Sequence, residues 1–246
     1  MKKDIIYRDA EIKLLKGVPA LLLKREKALV VGDLHIGKDI GLAESGVSLP
    51  LASERMALEI RRLCTLNGAK SLIILGDVKE SIGYPLRNEY LSIASFFILL
   101  RGLRITIAKG NHDAHLQEIF ERLGIHAGIS REILIGNTAL MHGNAVPSAE
   151  ALQKSRIIVG HGHTAVHLNE KLEKAWMVVE GRGQNHRNGQ LLIVVPAFNP
   201  LIIGTTPERR GRTFLPILRR MPFKRRSIRL YDLDGRLAER RSSYNS

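Results

Sequence analysis

Three apolar segments of this chain each end on a glycine or within two residues before one, and polar side chains of the kind that bind metals follow that glycine. They cover residues 28–32, 71–75 and 104–108, and they run into the sequences GDLH, GD and GNHD. Residues 53–67 and about 87–101, which lie between these segments, show helical spacing, with Ser53 as the N-cap of the first helix. This alternation predicts a right-handed, parallel βαβαβ unit. The three polar sequences should therefore lie together at the carboxyl ends of the strands.

The second half of the chain changes to closely spaced strands. A third helix is predicted at about 114–123 and ends at Gly124, and a hairpin follows with Gly136-Asn137 in its turn. Further strands are expected at 156–159, 175–179, 190–195 and 200–204, with turns at 181–183 and 188–189. Two of the strand endings carry the sequences MHGN and GHGH. The chain is therefore predicted to be an α/β protein of the α+β sandwich type, with two packed mixed β-sheets flanked by helices.

Together the polar sequences supply two aspartates, one asparagine and five histidines, which are Asp33, His35, Asp77, Asn111, His112, His142, His161 and His163. Imidazole, carboxylate and amide ligands suit Mn, Fe, Zn or Co, whereas an all-oxygen set suits Mg or Ca. Two metals roughly 3.5–4 Å apart can clamp the attacking and leaving oxygens of a phosphoester. The joint pattern predicts a two-metal phosphoesterase site with Asp77 as the bridging ligand. By contrast, His115, His126, His167 and His186 lack this glycine-flanked context and are predicted to be surface or structural residues.

The charge, the single cysteine and the length of the apolar runs limit the classes of protein to which this chain can belong. The formal net charge is +14, and residues 208–241 carry twelve arginines and lysines. This favours either a surface that binds nucleic acid or an ordinary solvated surface. The single cysteine, Cys64, lies in a helical pattern and is predicted to be an inert buried thiol. Charged residues interrupt the N-terminal segment and no apolar run is long enough to span a bilayer, so a cytoplasmic protein without membrane contact is expected.

The order GDLH, GD, GNHD, MHG and GHGH, from about residue 28 to about residue 204, resembles the calcineurin-like metallophosphoesterase family. The short length, the GDLHIG start and the VPAFN segment at 195–199 are similar to the archaeal SbcD-related phosphoesterases and the bacterial ligase-associated DNA-repair phosphoesterases. The resemblance implies a metallophosphoesterase domain at 1–204. Residues 205–246 would form a basic C-terminal segment, with a mobile loop and terminal strands packed on the same domain.

The resemblance also implies a role for each site residue. Two divalent ions are expected, with Mn preferred and Fe, Zn, Co or Ni as alternatives. The first ion would be held by Asp33, His35, Asp77 and His163, and the second by Asp77, Asn111, His142 and His161. A hydroxide bridging both ions would be the nucleophile. As catalytic residues, His112 would donate a proton to the leaving oxygen and Asp113 would orient its imidazole.

Other residues near the motifs have less defined roles. The family often has an aspartate three residues after Gly-Asp, but this chain has Glu80, which would either support the site or be an exposed side chain. Lys38, Arg87 and Asn144 would contact substrate phosphate or would be plain surface residues.

The function predicted from these features is a metal-dependent phosphodiesterase or nuclease acting on nucleic acid. A phosphomonoesterase or cyclic-nucleotide phosphodiesterase acting on a small molecule is the alternative, since the same two metals serve either bond. A non-catalytic nucleic-acid-binding protein is a more remote alternative. A helicase or ligase partner is implied by the resemblance only.

Overall fold

Two mixed β-sheets packed face to face form the centre of the computed structural model, which describes residues 9–40, 52–183, 186–207, 215–220 and 223–244. Helices cover the outer faces of the sheets. The predicted fold class is therefore confirmed.

The first sheet has six strands in the order of the sequence, β1 to β6. They are β1 (Ile12–Leu14), β2 (Leu21–Leu23), β3 (Ala28–Val31), β4 (Ser71–Ile74), β5 (Arg104–Ala108) and β6 (Gly128–Ser130). Strands β3 to β6 are parallel, and β1 and β2 add an antiparallel edge. The predicted βαβαβ unit corresponds to β3, β4 and β5 with the helices between them. The other strands have three residues each, which is too short for a clear periodic signal.

Three helices cover the outer face of this sheet, namely α1 (Ala52–Asn67), α2 (Arg87–Leu99) and α3 (Leu116–Leu123). Helix α1 begins before Ser53, which is buried within it, and the Asp39 carboxylate accepts the Ala52 N–H at 2.8 Å. The predicted N-cap at Ser53 is therefore wrong. Helix α3 ends as predicted at Gly124, whose φ of 63° is left-handed.

The second sheet has seven strands in the order β15-β14-β12-β13-β9-β8-β7. They are β7 (Glu132–Ile135), β8 (Thr138–Met141), β9 (Arg156–Val159), β12 (Trp176–Gly183), β13 (His186–Val194), β14 (Phe223–Tyr231) and β15 (Leu237–Tyr244). A separate hairpin consists of β10 (Ala165–Leu168) and β11 (Lys171–Lys174). Two short helices are α4 (Ala149–Leu152) and α5 (Ile217–Arg220). The hairpin predicted around Gly136-Asn137 is formed by β7 and β8.

Two of the turns and one of the strands predicted in this half are wrong. The turns expected at 181–183 and 188–189 lie within β12 and β13, which form one long hairpin. Residues 200–204 do not form a strand, because the Asn199 side chain accepts the Leu201 N–H and turns the chain. In the region predicted as a mobile loop, residues 217–220 are helical, and 208–214 and 221–222 lie outside the described residues.

Strand periodicity explains how the two sheets share a core. Ala28 and Val30 face the second sheet, while Leu29 and Val31 face the helices, because successive strand side chains point to opposite faces. The side chains of strand β9 alternate in the same way, and Ile158 faces the first sheet. Each fully buried aliphatic side chain of this kind contributes about 1.5–3 kcal/mol to folding. The packing holds the carboxyl ends of β3, β4, β5, β8 and β9 at one edge of the sandwich.

None of the helices in the described part of the chain combines the length and the apolar character that a membrane span requires.

Candidate metal centre

The ligand-type side chains predicted from the sequence converge at this edge of the two sheets. Among the described residues, three groups have histidine nitrogens and carboxylate oxygens that lie within 4.8 Å of one another. The groups are Asp33 with His35 and His163, His35 with Asp77 and His112, and Asp77 with His142 and His161. Because neighbouring groups share His35 or Asp77, they form one continuous cluster.

Two glycines allow the strand ends to approach closely enough to form the cluster. A Cβ atom at Gly110 would overlap the Asp77 carboxylate, and a Cβ atom at Gly76 would lie 2.7 Å from Nδ1 of His142. Gly76 also has a φ of +73°, which L side chains rarely adopt. A side chain at either position would push the ligands apart.

The first half of the cluster contains two histidine nitrogens without a hydrogen-bond partner. Nε2 of His163 lies 3.2 Å from Oδ1 of Asp33, and Nε2 of His35 lies 3.5 Å from Oδ2 of Asp77. Both Nε2 atoms are buried and unpartnered within the described structure. A buried polar atom without a hydrogen-bond partner lowers the stability of the folded state, so such atoms are rare unless a ligand or an ion binds them. A divalent cation held between these rings and carboxylates would satisfy both nitrogens, and the donor set fits a transition metal.

The second half of the cluster surrounds Nε2 of His142. This atom lies 3.2 Å from Oδ2 of Asp77, 3.1 Å from Oδ1 of Asn111 and 3.0 Å from Nδ1 of His161. The same Asp77 oxygen faces His35 in the first half. Asp77 therefore occupies the position that a bridging carboxylate requires.

Five of the candidate ligands have left-handed backbone conformations, which are uncommon outside glycine. They are Asp33, His35, Asp77, His161 and His163, with φ of 55°, 41°, 48°, 59° and 36°. Each costs on the order of 1–2 kcal/mol, and such positions concentrate at functional sites. The sharp turns they make at the strand ends direct the side chains of different strands toward one point.

The charges at the centre of the cluster are strongly coupled. Burial alone would raise the pKa of Asp77, but the hydrogen bond and charge of His142 hold it below its usual range. Burial opposes the charged form of His142, yet Asp77, Asp33 and the Leu75 carbonyl together raise its pKa to about 9. A proton on Nε2 of His142 must leave before that atom can bind a cation, so metal binding should release a proton.

Contacts outside the cluster fix the orientation of two imidazoles. Nδ1 of His142 lies 2.7 Å from the Leu75 carbonyl, to which it donates, so Nε2 faces the cluster. Nδ1 of His35 lies 2.8 Å from Oε2 of Glu80, and the other Glu80 oxygen accepts from Lys38 at 2.7 Å. The hydrogen bond with His35, helped by Lys38, lowers the pKa of Glu80 to about 2. Of the two interpretations of Glu80, the structure favours the supporting one.

The proposed proton donor His112 lies beside the same cluster. Its backbone N–H donates to Oδ1 of Asp77 at 2.9 Å, and its ring nitrogen Nδ1 donates to the Glu80 carbonyl at 2.5 Å. The ring also contacts the imidazole of His35 edge-on, with centroids 4.9 Å apart. With Nδ1 held in this way, Nε2 is the atom available to a substrate.

Asp113 does not orient this imidazole, contrary to the sequence prediction. Its side chain is fully buried, and its two oxygens accept the N–H groups of Val78 and Gly110, both at 2.8 Å. Burial raises the pKa of Asp113. Asp113 therefore holds two motif turns together, while the Glu80 carbonyl orients His112.

The three candidates for phosphate contact lie in different surroundings. Lys38 is partly exposed and pairs with Glu80. Asn144 is half-buried and lines a small cavity of about 20 Å³ beside His142. Arg87 is exposed at the first residue of α2. Substrate contact by these residues stays a prediction.

Two basic residues that sequence analysis missed, Lys109 and Arg131, line the same cavity as Asn144. Both are exposed. Lys109 directly precedes the GNHD sequence, and this position could have identified it as a candidate for phosphate contact. Arg131 lies in the bend between β6 of the first sheet and β7 of the second, and no local pattern links it to the motifs.

The VPAFN segment, which follows β13, supports the turn that carries Asp33 and His35. Sequence analysis did not predict this supporting role. Asn199 is buried, and its Nδ2 donates to the carbonyls of Leu34 and His35 at 2.8 and 3.2 Å. Lys174 in turn donates to the carbonyls of Ala197 and Asn199, both at 2.6 Å. Burial lowers the pKa of Lys174 to about 8. The segment that follows β13 and the separate β10–β11 hairpin thus brace the first motif of the first sheet.

The histidines predicted to lie outside the cluster do so where their side chains are described. His115, His126 and His167 are exposed. His115 stacks on Tyr84, with ring centroids 4.1 Å apart. His186 lies in β13, and its side chain is outside the described residues.

Comparison with known proteins identifies the fold. No protein-family model and no curated protein matches the sequence. Among solved structures, a Pseudomonas putida nuclease, MPE, aligns over 89% of this chain and 90% of its own, with 19% identity and a TM-score of 0.58. Yfce, a phosphoesterase from E. coli, aligns over 87% of this chain and 97% of its own, with 16% identity and a TM-score of 0.39. With the sheet topology described above, the likeness to the P. putida structure shows that this chain shares the fold of that protein.

Proposed function

We propose that this protein is a phosphoesterase that requires two divalent metal ions and that it cleaves phosphodiester bonds in nucleic acid. The observation that carries the proposal is the continuous cluster in which Asp77 lies between two sets of histidines. Two buried Nε2 atoms in it, on His35 and His163, have no hydrogen-bond partner within the described structure, and a bound cation would satisfy both.

The cluster divides into two ligand sets that share one carboxylate. Asp33, His35, Asp77 and His163 would hold one ion, and Asp77, Asn111, His142 and His161 would hold the other. When bound, two such cations neutralise phosphate charge and lower the pKa of water enough to supply a nucleophile near neutral pH. Mn is the metal we expect, with Fe, Zn, Co and Ni as alternatives.

The chain itself supplies the group that assists the leaving oxygen. Hydrogen bonding of Nδ1 to the Glu80 carbonyl keeps the His112 ring in place, with Nε2 free to donate a proton when both nitrogens carry one. Proton donation by a positioned side chain typically contributes about 10²–10⁴-fold. Lys109, Arg131 and Asn144, which line the adjacent cavity, would contact the phosphate.

A nucleic-acid substrate is supported by charge and by fold. The net charge of +14 attracts polyanions, and the P. putida protein of the same fold is described as a nuclease. Such a substrate should bind with a steep salt dependence, with a slope near −0.9 per neutralised phosphate on duplex DNA. A flat salt response combined with activity on free nucleotides would instead point to a small-molecule phosphoesterase.

The test is Mn-dependent hydrolysis of a paired chromogenic phosphodiester and phosphomonoester. The wild type should cleave the diester faster, and Asp77→Ala should abolish this activity. Asp234→Ala, which changes a partly exposed aspartate in the turn between β14 and β15, is the matched control and should retain it. A monoester preference would contradict the diester assignment. An inactive wild type with every candidate metal would contradict the enzyme assignment and leave the non-catalytic alternative.

A further inference from the structure

A buried carboxylate on α2 contacts the backbone that supports the candidate centre. Glu89 is only 7% exposed, although it lies in the first turn of the helix. Its Oε1 atom accepts the N–H groups of both Glu80 and Ser81, each at 3.0 Å. A carboxylate that accepts two backbone donors fixes the peptide that carries them.

The surrounding residues are built to accommodate this carboxylate. A Cβ atom at Gly37 would lie 2.7 Å from Cγ of Glu89, so the glycine of the GDLHIG sequence makes room for it. Lys79, which is fully buried, attracts Glu89 electrostatically and donates to the carbonyls of Ser81 and Gly83. Buried charges are retained where they are paired and hydrogen-bonded. Glu89 thus binds N–H groups of the loop after Asp77, and Lys79 binds its carbonyl groups.

Glu80, whose backbone Glu89 fixes, contacts the imidazoles of His112 and His35. The Glu80 carbonyl accepts from Nδ1 of His112, and the Glu80 carboxylate accepts from Nδ1 of His35. A shift of this one residue would therefore move both the candidate proton donor and a candidate metal ligand.

We propose that Glu89 is a positioning residue for phosphoester cleavage, acting through the backbone of Glu80 on the orientation of His112. The proposal rests on the function proposed above. Misplacement of a reacting group by about 1 Å can cost roughly 10²-fold in rate. Because His112 matters most when the leaving group needs a proton, an effect of Glu89 that passes through His112 must depend on the leaving group.

Three variants separate this role from a purely structural one. Glu89→Leu removes the acceptor at similar volume, and Glu89→Gln keeps an amide oxygen that can accept both N–H groups. Ser92→Ala, one turn further along α2 and also buried, is the matched control. Each protein is assayed at saturating Mn on two phosphodiesters, one that releases a nitrophenolate and one that releases an alkoxide. The ratio of the two kcat values does not depend on the fraction of protein that is folded.

Glu89→Leu should lower kcat for the alkoxide substrate roughly 10–100-fold more than for the nitrophenolate substrate. Glu89→Gln and Ser92→Ala should keep the wild-type ratio. In a His112→Ala background, Glu89→Leu should leave the ratio unchanged, because the group through which it acts is gone.

Equal losses on both substrates would overturn the proposal, as would a further change of the ratio in the His112→Ala background. Failure of the proposed function would look different, since the wild type itself would then cleave neither diester. Metal content, measured in parallel, shows whether any loss comes from the contact with His35.

Discussion

At the residue scale, the candidate centre consists of side chains that would bind metal and of side chains that hold those ligands in place. Each ligand follows the end of a strand by no more than four residues, so a local pattern reveals it. The roles of Asp113 and Glu80 depend instead on which backbone donors lie nearby in three dimensions. Asp113 binds the N–H groups of Gly110 and Val78, and Glu80 contacts both His35 and His112.

His112→Ala tests the division between metal ligands and catalytic groups. The variant should keep near-normal metal content, because the other ligand-type side chains of the cluster remain. Its turnover should fall by roughly 10²–10⁴ on substrates with poor leaving groups, and less where no proton is needed. Metal analysis and kcat on the two diesters check this. Loss of metal would show that His112 is a ligand, which its place beside His35 and Asp77 allows geometrically.

At the element scale, the sequence predicts the strands and helices that carry motifs, but not how strands distant in the chain pair with one another. Strands β3, β4 and β5 have clear apolar runs. Strand β14 pairs with β12, about 50 residues earlier in the chain, and no local pattern shows this. Helix α2 was predicted, but its buried Glu89 does not fit an amphipathic pattern, because a charged residue ordinarily marks the solvent face.

Asn199→Ala should destabilise the turn that carries Asp33 and His35. The change removes the side-chain donor to the buried Leu34 carbonyl, and it leaves the His35 carbonyl with only the Lys38 N–H. This loss should cost about 1–3 kcal/mol in unfolding free energy. Urea denaturation measures the loss. Asn88→Ala, at an exposed position on α2, is the control and should have little effect. An unchanged urea midpoint for Asn199→Ala would show that this segment does not support the turn.

Cys64 reports on the packing of α1. Its thiol is buried, and burial raises its pKa to about 11, so little reactive thiolate is present at pH 8. A thiol reagent at pH 8 should therefore modify the native protein slowly and the protein unfolded in guanidinium rapidly. Rapid modification of the native protein would contradict the burial of this helix face.

At the scale of the whole molecule, the candidate centre joins the two sheets. Asp33, Asp77 and Asn111 follow strands of the first sheet, and His142 and His161 follow strands of the second. Sequence analysis could predict both sheets and the edge at which they meet. It could not predict the bracing by Asn199 and Lys174, which depends on how the sheets pack.

Metal removal should therefore destabilise the entire sandwich. A ligand present at 100 times its Kd stabilises the folded state by about 2.7 kcal/mol. A chelator should lower the Tm of the metal-loaded wild type, and added Mn should restore it. Asp77→Ala should show no response to chelator. A Tm of the wild type that is the same with Mn and with chelator would contradict a metal centre that links the sheets.

The most direct test of the two-metal centre is the metal content of the purified protein after loading with Mn and dialysis. The wild type should hold two ions per chain, and Asp77→Ala should lose both together because the bridging carboxylate is gone. Two tightly held ions in Asp77→Ala, or at most one in the wild type, would contradict the centre described here.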